Sequence, residues 1–111
     1  MLNSCAFIYS GSKDREIQTQ LHQILAEKSS DFAKCAKSSE IFEHFKSQRV
    51  TTTLFLDINP QGQLDKFKLD DKEYPDSFVN CVFDIVELLE FPRFDEQEVI
   101  ELEQPFAFTE N

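Results

Sequence analysis

The chain has 111 residues, which is enough for one domain with a single modest core. Its formal net charge of −10 argues against a nucleic-acid binder, which needs clustered Lys and Arg, and disfavours binding to anionic lipid surfaces. The same charge favours solubility or a protein partner with a basic patch.

The N-terminal segment, residues 1–13, has two interpretations. The apolar run Cys5–Tyr9 predicts a short first strand, which we prefer, ending in a turn at Gly11. Alternatively, Leu2-Asn3-Ser4-Cys5 resembles a bacterial lipobox, and Cys5 would then carry a lipid if the sequence is a piece of a longer precursor. That lipid is the only membrane contact we expect. Because the segment lacks the basic and apolar regions of a signal peptide, a chain complete as written is expected in the cytoplasm.

A helical region follows from Asp14 to about Phe45. Its apolar residues recur at the spacing of an amphipathic helix, and Ser29-Ser30-Asp31 interrupts the pattern, which predicts a break there. The stripe before the break consists of Ile17, Leu21, Ile24 and Leu25.

The clearest pattern is a β-hairpin. Apolar and β-branched residues alternate from Val50 to Ile58, which predicts a half-buried strand. Asn59-Pro60-Gln61-Gly62 supplies turn chemistry, with Gly62 at positive φ. A second strand runs from Leu64 to Leu69, and its apolar residues change parity, so we expect a bulge near Lys66.

A second helix is predicted from Asp76 or Ser77 to about Leu89, where Phe91-Pro92 ends it. The last strand is predicted over Val99–Phe108, with Glu101 and Glu103 pointing away from the core. Pro105 cannot donate to a ladder, so its end of the strand must lie at a sheet edge or beyond the pairing.

These elements predict an α+β fold. A three-stranded antiparallel sheet carries two helical regions on one face, in the order α-β-β-α-β, with a possible extra N-terminal strand. The domain is expected over residues 14–108, and residues 109–111 form a tail.

The sequence offers little catalytic chemistry. His22 and His44 have no Cys or His at metal-ligand spacing, and two glycines cannot build a phosphate loop. The many acidic residues are typical of a solvated exterior, since acid/base catalysis would need a pocket that nothing marks. We therefore predict no catalytic, cofactor or metal site.

Cys35 and Cys81 lie in the two helical regions among apolar neighbours. The residues alone favour two buried free thiols over a disulfide, because nothing in them demonstrates an oxidising compartment. A disulfide would stabilise so small a domain substantially.

From Thr52 to Phe108 the chain resembles the C-terminal domain of TonB-type energy transducers, most of all the AgmX/PglI-type branch of gliding-motility and cell-envelope proteins. The resemblance lies in the strand 54–58, the turn 59–64, the helix segment from Cys81 to Pro92 and the closing Gln104-Pro105-Phe106-Ala107-Phe108. Cys35 corresponds to the first cysteine of that branch, although Ala36 stands where the branch often has tyrosine. The membrane anchor and Pro-rich spacer of a complete transducer do not occur in this sequence.

The resemblance implies a non-enzymatic interaction module in the bacterial periplasm or cell envelope, with a Cys35–Cys81 disulfide. Family members commonly bind a partner by adding its strand to an exposed sheet edge. Such an edge carrying Glu101 and Glu103 would prefer a basic partner strand, whereas the alternative is a dimerising domain that pairs or swaps strands with a second copy. The expected edge consists of Val99, Ile100, Glu101, Leu102, Glu103 and Gln104.

Overall fold

The computed structural model describes residues 5–95 and 99–110. Helices and strands occur there in the order helix, strand, strand, helix, strand, with the first helical region divided into three pieces, which confirms the predicted α+β fold. The elements are α1 (Cys5–Ala26), α2 (Ser29–Ser38), α3 (Ile41–Phe45), β1 (Arg49–Ile58), β2 (Leu64–Leu69), α4 (Asp76–Glu87) and β3 (Ile100–Thr109).

The sheet is antiparallel with the strand order β2-β1-β3, so the longest-range pairing places the last strand beside the first. β1 and β3 pair without interruption from Arg49 opposite Thr109 to Ile58 opposite Ile100. The β1–β2 pairing shifts after Asp57 opposite Lys66, because Asp65 is an extra residue on β2. The bulge predicted near Lys66 is therefore confirmed.

The helices cover one face of the sheet, and no described helix or strand covers the other face. Every second residue of β1, from Val50 to Ile58, is buried beneath them, as the alternation predicted. Helix α1 packs over β3, α4 packs over β2, and α2 lies against α3 and α4. The largest fully buried side chains are Phe32, Phe78, Leu21, Leu25, Ile41, Leu54, Leu56, Ile58 and Val86.

The turn between β1 and β2 is held by Asn59 and Gly62. The Asn59 side-chain oxygen accepts hydrogen bonds from the backbone of Gln61 (3.1 Å) and Gln63 (2.9 Å). Gly62 has φ +80°, and a Cβ atom there would lie 2.3 Å from the carbonyl oxygen of Phe91. The turn thus needs glycine twice over, for its backbone conformation and for its close contact with the segment after α4.

The N-terminal strand predicted for Cys5–Tyr9 is wrong, because these residues form the beginning of α1. The helix continues through Gly11 and across the expected boundary between residues 13 and 14. Extending an existing helix adds a hydrogen bond per residue without a new nucleus, whereas a strand needs a neighbour to satisfy its backbone. Leu2, Asn3 and Ser4 of the lipobox-like motif lie outside the described residues.

The other element boundaries differ from the predicted ones by a few residues. The helical break falls at Glu27 and Lys28, before the predicted Ser29-Ser30-Asp31, and a second break occurs at Ser39 and Glu40. Glu40 adopts the left-handed conformation, φ 55°, which the sequence did not signal. Thr109, placed in the tail, belongs to β3.

A disulfide joins Cys35 of α2 to Cys81 of α4, with their Cα atoms 5.7 Å apart. The prediction of two free thiols, which the residues alone favoured, is therefore wrong. The disulfide implied by the resemblance is present. Disulfides form and persist in oxidising compartments, so the bridge points to such a compartment. Within the described part of the chain, no helix is long and apolar enough to cross a bilayer.

Candidate functional site

The predicted interaction strand lies at an edge of the sheet. β3 pairs with β1 on one side, and the sheet formed by the described residues contains no strand on its other side. Residues Ile100–Gln104 of the predicted segment make up the first half of this strand, and Val99, which is 41% exposed, immediately precedes it. The structure therefore places five of the six predicted residues in this edge strand, with Val99 next to it.

The ladder shows which backbone groups of β3 point outward. Thr53 is bonded on the β2 side, through its carbonyl to the amide of Asp70 (3.1 Å) and through its amide to the Asp70 carboxylate (2.7 Å). Glu110 donates to Gln48 (2.9 Å), so even-numbered residues carry the β1–β3 ladder. Because backbone groups alternate along a strand, the odd-numbered residues of β3 face away from β1. This outward backbone, here called the free edge, belongs to Glu101, Glu103, Pro105, Ala107 and Thr109.

Pro105 divides the free edge into two parts. Its position opposite Thr53 faces outward, so its missing N–H costs the β1–β3 ladder nothing, which explains a proline in mid-strand. The side-chain amide of Gln104 donates to the Pro105 carbonyl (3.3 Å), and its oxygen accepts from Nδ1 of His22 on α1. The proline position therefore offers neither a donor nor an unoccupied carbonyl to an added strand, and the first part of the edge ends there.

The face of the sheet opposite the helices, here called the outer face, is charged and grooved. A groove of ≈ 630 Å³ crosses it, and the Lys68 Nζ atom lies 5.3 Å from the centre of the Phe55 ring. Lysines occupy the β2 side and glutamates the β3 side, so the face has a positive and a negative flank. The residues of this face that line the groove are Phe55, Asp57, Lys66, Lys68, Glu101 and Glu103.

The opposite side of β1 is closed by the chain after β2, a feature the sequence did not reveal. β2 ends at Leu69, but Asp70 continues the pairing through its carboxylate, and Lys72 Nζ donates to the Thr51 carbonyl (2.8 Å). The Tyr74 hydroxyl donates to Asp70 at 2.9 Å. The only sequence signal was a polar connection rich in acidic residues, which is common to ordinary loops.

Hydrogen bonding sets the charge state of this cluster. Burial alone would raise the pKa of Asp70, but hydrogen bonds from Thr53, Tyr74 and Lys72, with the charge of Lys72, hold that pKa below its ordinary value. Burial raises the pKa of Tyr74, and the neighbouring Asp70 carboxylate raises it further. At neutral pH the cluster therefore holds a carboxylate and a neutral phenol, as a structural cap requires.

Both histidines make structural contacts. His22 bonds Gln104, and His44 Nε2 donates to the Glu73 carbonyl while its ring packs edge-on against Phe45. Among residues 5–95 and 99–110, no group of three or more His, Cys, Asp or Glu lies close enough to hold a metal ion. Each histidine thus fastens a helix to a neighbouring element.

The arrangement is a row of outward backbone donors and acceptors on β3, flanked by two exposed glutamates and bounded by Pro105. Its chemistry is that of a template for another extended strand. Comparisons with protein-family models, with curated proteins and with solved structures each return no match for this chain.

Proposed function

We propose that this chain is a non-enzymatic protein-interaction module that binds a partner by adding the partner's strand to the free edge. The observation that carries the proposal is the position of β3, a ten-residue strand that pairs on one side only within the sheet of the described residues. Each outward residue except Pro105 supplies both a carbonyl and an amide to an added strand. Such backbone groups give affinity with little demand on the partner's sequence.

Charge on the free edge selects the kind of partner. Glu101 and Glu103 are exposed and have no ion-pair partner among the described residues. A strand added beside them would place alternate side chains next to these carboxylates, so Lys or Arg at every second position fits best. The partner is accordingly an extended segment with alternating basic residues.

The proposed compartment is the bacterial periplasm or cell envelope. The Cys35–Cys81 disulfide supports an oxidising location, and the similarity to the AgmX/PglI-type branch of TonB-like domains supports the envelope. The module would then serve an energy-transduction or motility system. A lipid on Cys5 would provide its membrane attachment.

Self-pairing of β3 is the alternative function, and charge opposes it. Two β3 strands meeting edge to edge would bring the glutamates of one copy beside those of the other, and like charges at neighbouring positions destabilise a ladder. The alternative predicts that sedimentation at rising concentration reveals a dimer that Glu103→Lys tightens. A dimer unaffected by that change would not involve this edge.

Titration of the ¹⁵N-labelled protein with an eight-residue peptide of alternating Lys and Val tests the proposal by NMR. We expect the Glu101 and Glu103 amides to shift and to exchange with solvent more slowly, while Phe67 and Leu69 on β2 remain unchanged. A peptide of alternating Glu and Val is the charge control and should not bind.

Two variants separate backbone pairing from charge. Glu103→Pro removes an outward donor and should weaken peptide binding, whereas Glu103→Gln keeps the donor and removes only the charge. If the two weaken binding equally, the carboxylate rather than the backbone carries the interaction. Shifts confined to β2, or none at Glu101 and Glu103, would contradict the proposal.

A further inference from the structure

The charges of the outer face form two rows that run across the strands. Each row contains one residue of β1 and the residues of β2 and β3 that pair with it, so its three side chains lie side by side across the sheet. Each row begins with lysine on β2 and ends with glutamate on β3. The rows are Lys66–Asp57–Glu101 and Lys68–Phe55–Glu103.

These charges have no ion-pair partners among the residues that the structure describes. The ion pairs of the described residues join Lys28 and Lys34 to Asp31 and Lys72 to Asp70, so both rows are left out. Two lysines stand against three carboxylates in the rows, whereas the whole chain carries −10. The outer face is thus nearly neutral on a strongly acidic protein, so repulsion between copies is smallest here.

A second copy of the chain can face the first so that lysines of one copy lie opposite glutamates of the other. Turning a second copy by half a turn about an axis parallel to β1 brings its β2 over β3 of the first copy at the same level. Lys66 then faces Glu101 of the second copy, and Lys68 faces Glu103. A half turn about an axis perpendicular to the strands would instead place lysine over lysine and glutamate over glutamate, which costs energy.

We propose that the outer face is a self-association surface, on which a second copy of this chain packs face to face about a two-fold axis parallel to β1. Each Lys–Glu contact occurs twice, as in any isologous interface. The half-buried Phe55 lies at the centre of the second row and meets Phe55 of the second copy. Two sheets packed in this way keep their strands within about 30° of each other.

The association is expected to be weak and sensitive to salt. One face of a three-stranded sheet offers less area than a standard interface, and Asp57 meets its own copy at the axis, with Lys66 of both copies beside it. Lys68 must also leave the Phe55 ring of its own chain to reach the facing glutamate. Dimer formation should therefore weaken as ionic strength rises, because its main contacts are exposed ion pairs.

Charge reversal tests the proposal by sedimentation equilibrium at several concentrations and low salt. K66E/K68E and E101K/E103K should each raise the dimer Kd roughly tenfold or more, because each replaces four attractions with repulsions. The quadruple variant restores the complementary order and should recover the dimer. An equimolar mixture of the two double variants should form a heterodimer.

Carbodiimide coupling identifies the axis. In a mixture of ¹⁵N-labelled and unlabelled protein, mass spectrometry should find mixed-isotope crosslinks between Lys68 and Glu103. All four substituted positions are exposed, and unchanged NMR spectra of the core would confirm that each variant folds.

Three results would overturn the proposal. They are a wild-type monomer at every concentration, a dimer that tolerates K66E/K68E, and a quadruple variant that fails to recover association. A dimer sensitive to Glu103 but not to the lysines would instead use the free edge. The peptide titration of the free edge is independent, so either proposal can fail alone.

Discussion

The two edges of the sheet are protected to different degrees. β2 is a six-residue strand that carries a bulge, exposes two lysines and lies beside α4, where Phe67 contacts Phe83 with ring centres 5.2 Å apart. β3 has ten residues, an unbroken register and a single proline. Short length, bulges and lysines are the usual means by which proteins prevent edge pairing.

The difference shows that the backbone of β1 on the β2 side is hydrogen-bonded within the domain. Among the described residues, the outward backbone of β3 is protected mainly by the charges of its glutamates. On the closed side, Asp70 and Lys72 bond the part of β1 that β2 does not reach. On the open side, the described residues that discourage unspecific pairing are Pro105 and two glutamates. A partner strand with complementary charge meets no comparable obstacle there.

The largest loss of stability is expected when the disulfide that joins α2 to α4 is removed. Removing the bridge with Cys35→Ser and Cys81→Ser should lower the free energy of unfolding by about 4 kcal/mol in the chain-entropy account. Urea denaturation with and without reductant measures the loss. Reductant should leave the double variant unchanged, and a wild-type midpoint insensitive to reductant would contradict the expectation.

The next change alters the turn that sets the β2 register. Gly62→Ala should cost about 3 kcal/mol, because alanine must adopt a positive φ while its Cβ meets the Phe91 carbonyl. Thermal and urea unfolding measure the effect. The control is Gln61→Ala in the same turn, an exposed residue whose replacement should change stability by less than about 0.5 kcal/mol.

Much of this architecture could be predicted because it depends on neighbours in sequence. The alternation of β1, the turn at Asn59 and Gly62, and the parity change that signals the bulge are all local patterns. Asp70 could not be recognised because its role depends on Thr53, which lies 17 residues earlier and becomes its partner only when β2 is paired. Even and odd positions of β3 likewise acquire their directions only from the register.

The N-terminal error has a related cause. A short apolar run such as Cys5–Tyr9 fits a buried strand or a helix, and only the availability of a neighbour decides between them. The disulfide could not be settled from the two cysteines either, since Cys35 and Cys81 come together through the packing of α2 on α4. Long-range packing decides what local chemistry leaves open.

Proline substitutions at two neighbouring positions of β3 distinguish the backbone groups bonded to β1 from those that point outward. Gln104→Pro removes a donor to β1 and should cost about 2 kcal/mol more than Gln104→Ala, because it leaves an acceptor unpaired in the ladder. Glu103→Pro removes an outward N–H and should differ from Glu103→Ala by less than about 1 kcal/mol. Equal losses in urea unfolding would show that the register of β3 is different from the one described.

The smallest expected effect concerns the closed side at low pH. The pKa of Asp70 is lower in the folded chain than its ordinary value of 3.8, so folding favours the carboxylate. This contribution is complete at neutral pH and is lost as the pH falls below 3.8 toward the folded pKa. Asp70→Asn should therefore destabilise the protein by about 1.5 kcal/mol at pH 7, and by progressively less in acid.

Urea unfolding of both proteins between about pH 2.5 and pH 7 measures this difference, since carboxylates titrate in that window. Lys72→Met, which removes the cation but leaves the hydrogen bonds from Thr53 and Tyr74, provides the control and should have a smaller effect. A difference that stays constant with pH would mean that the Asp70 carboxylate contributes no charge-dependent stability.

The disulfide encloses a covalent loop that contains β1 and β2 but neither α1 nor β3. When the domain opens partially, the hairpin and its two flanking helices stay tethered, while the last strand is retained by non-covalent contacts alone. Native-state hydrogen exchange should accordingly find a subglobal opening in which β3 leaves first. In that state the central strand itself becomes the template, and an incoming segment would replace the protein's own strand instead of extending the sheet.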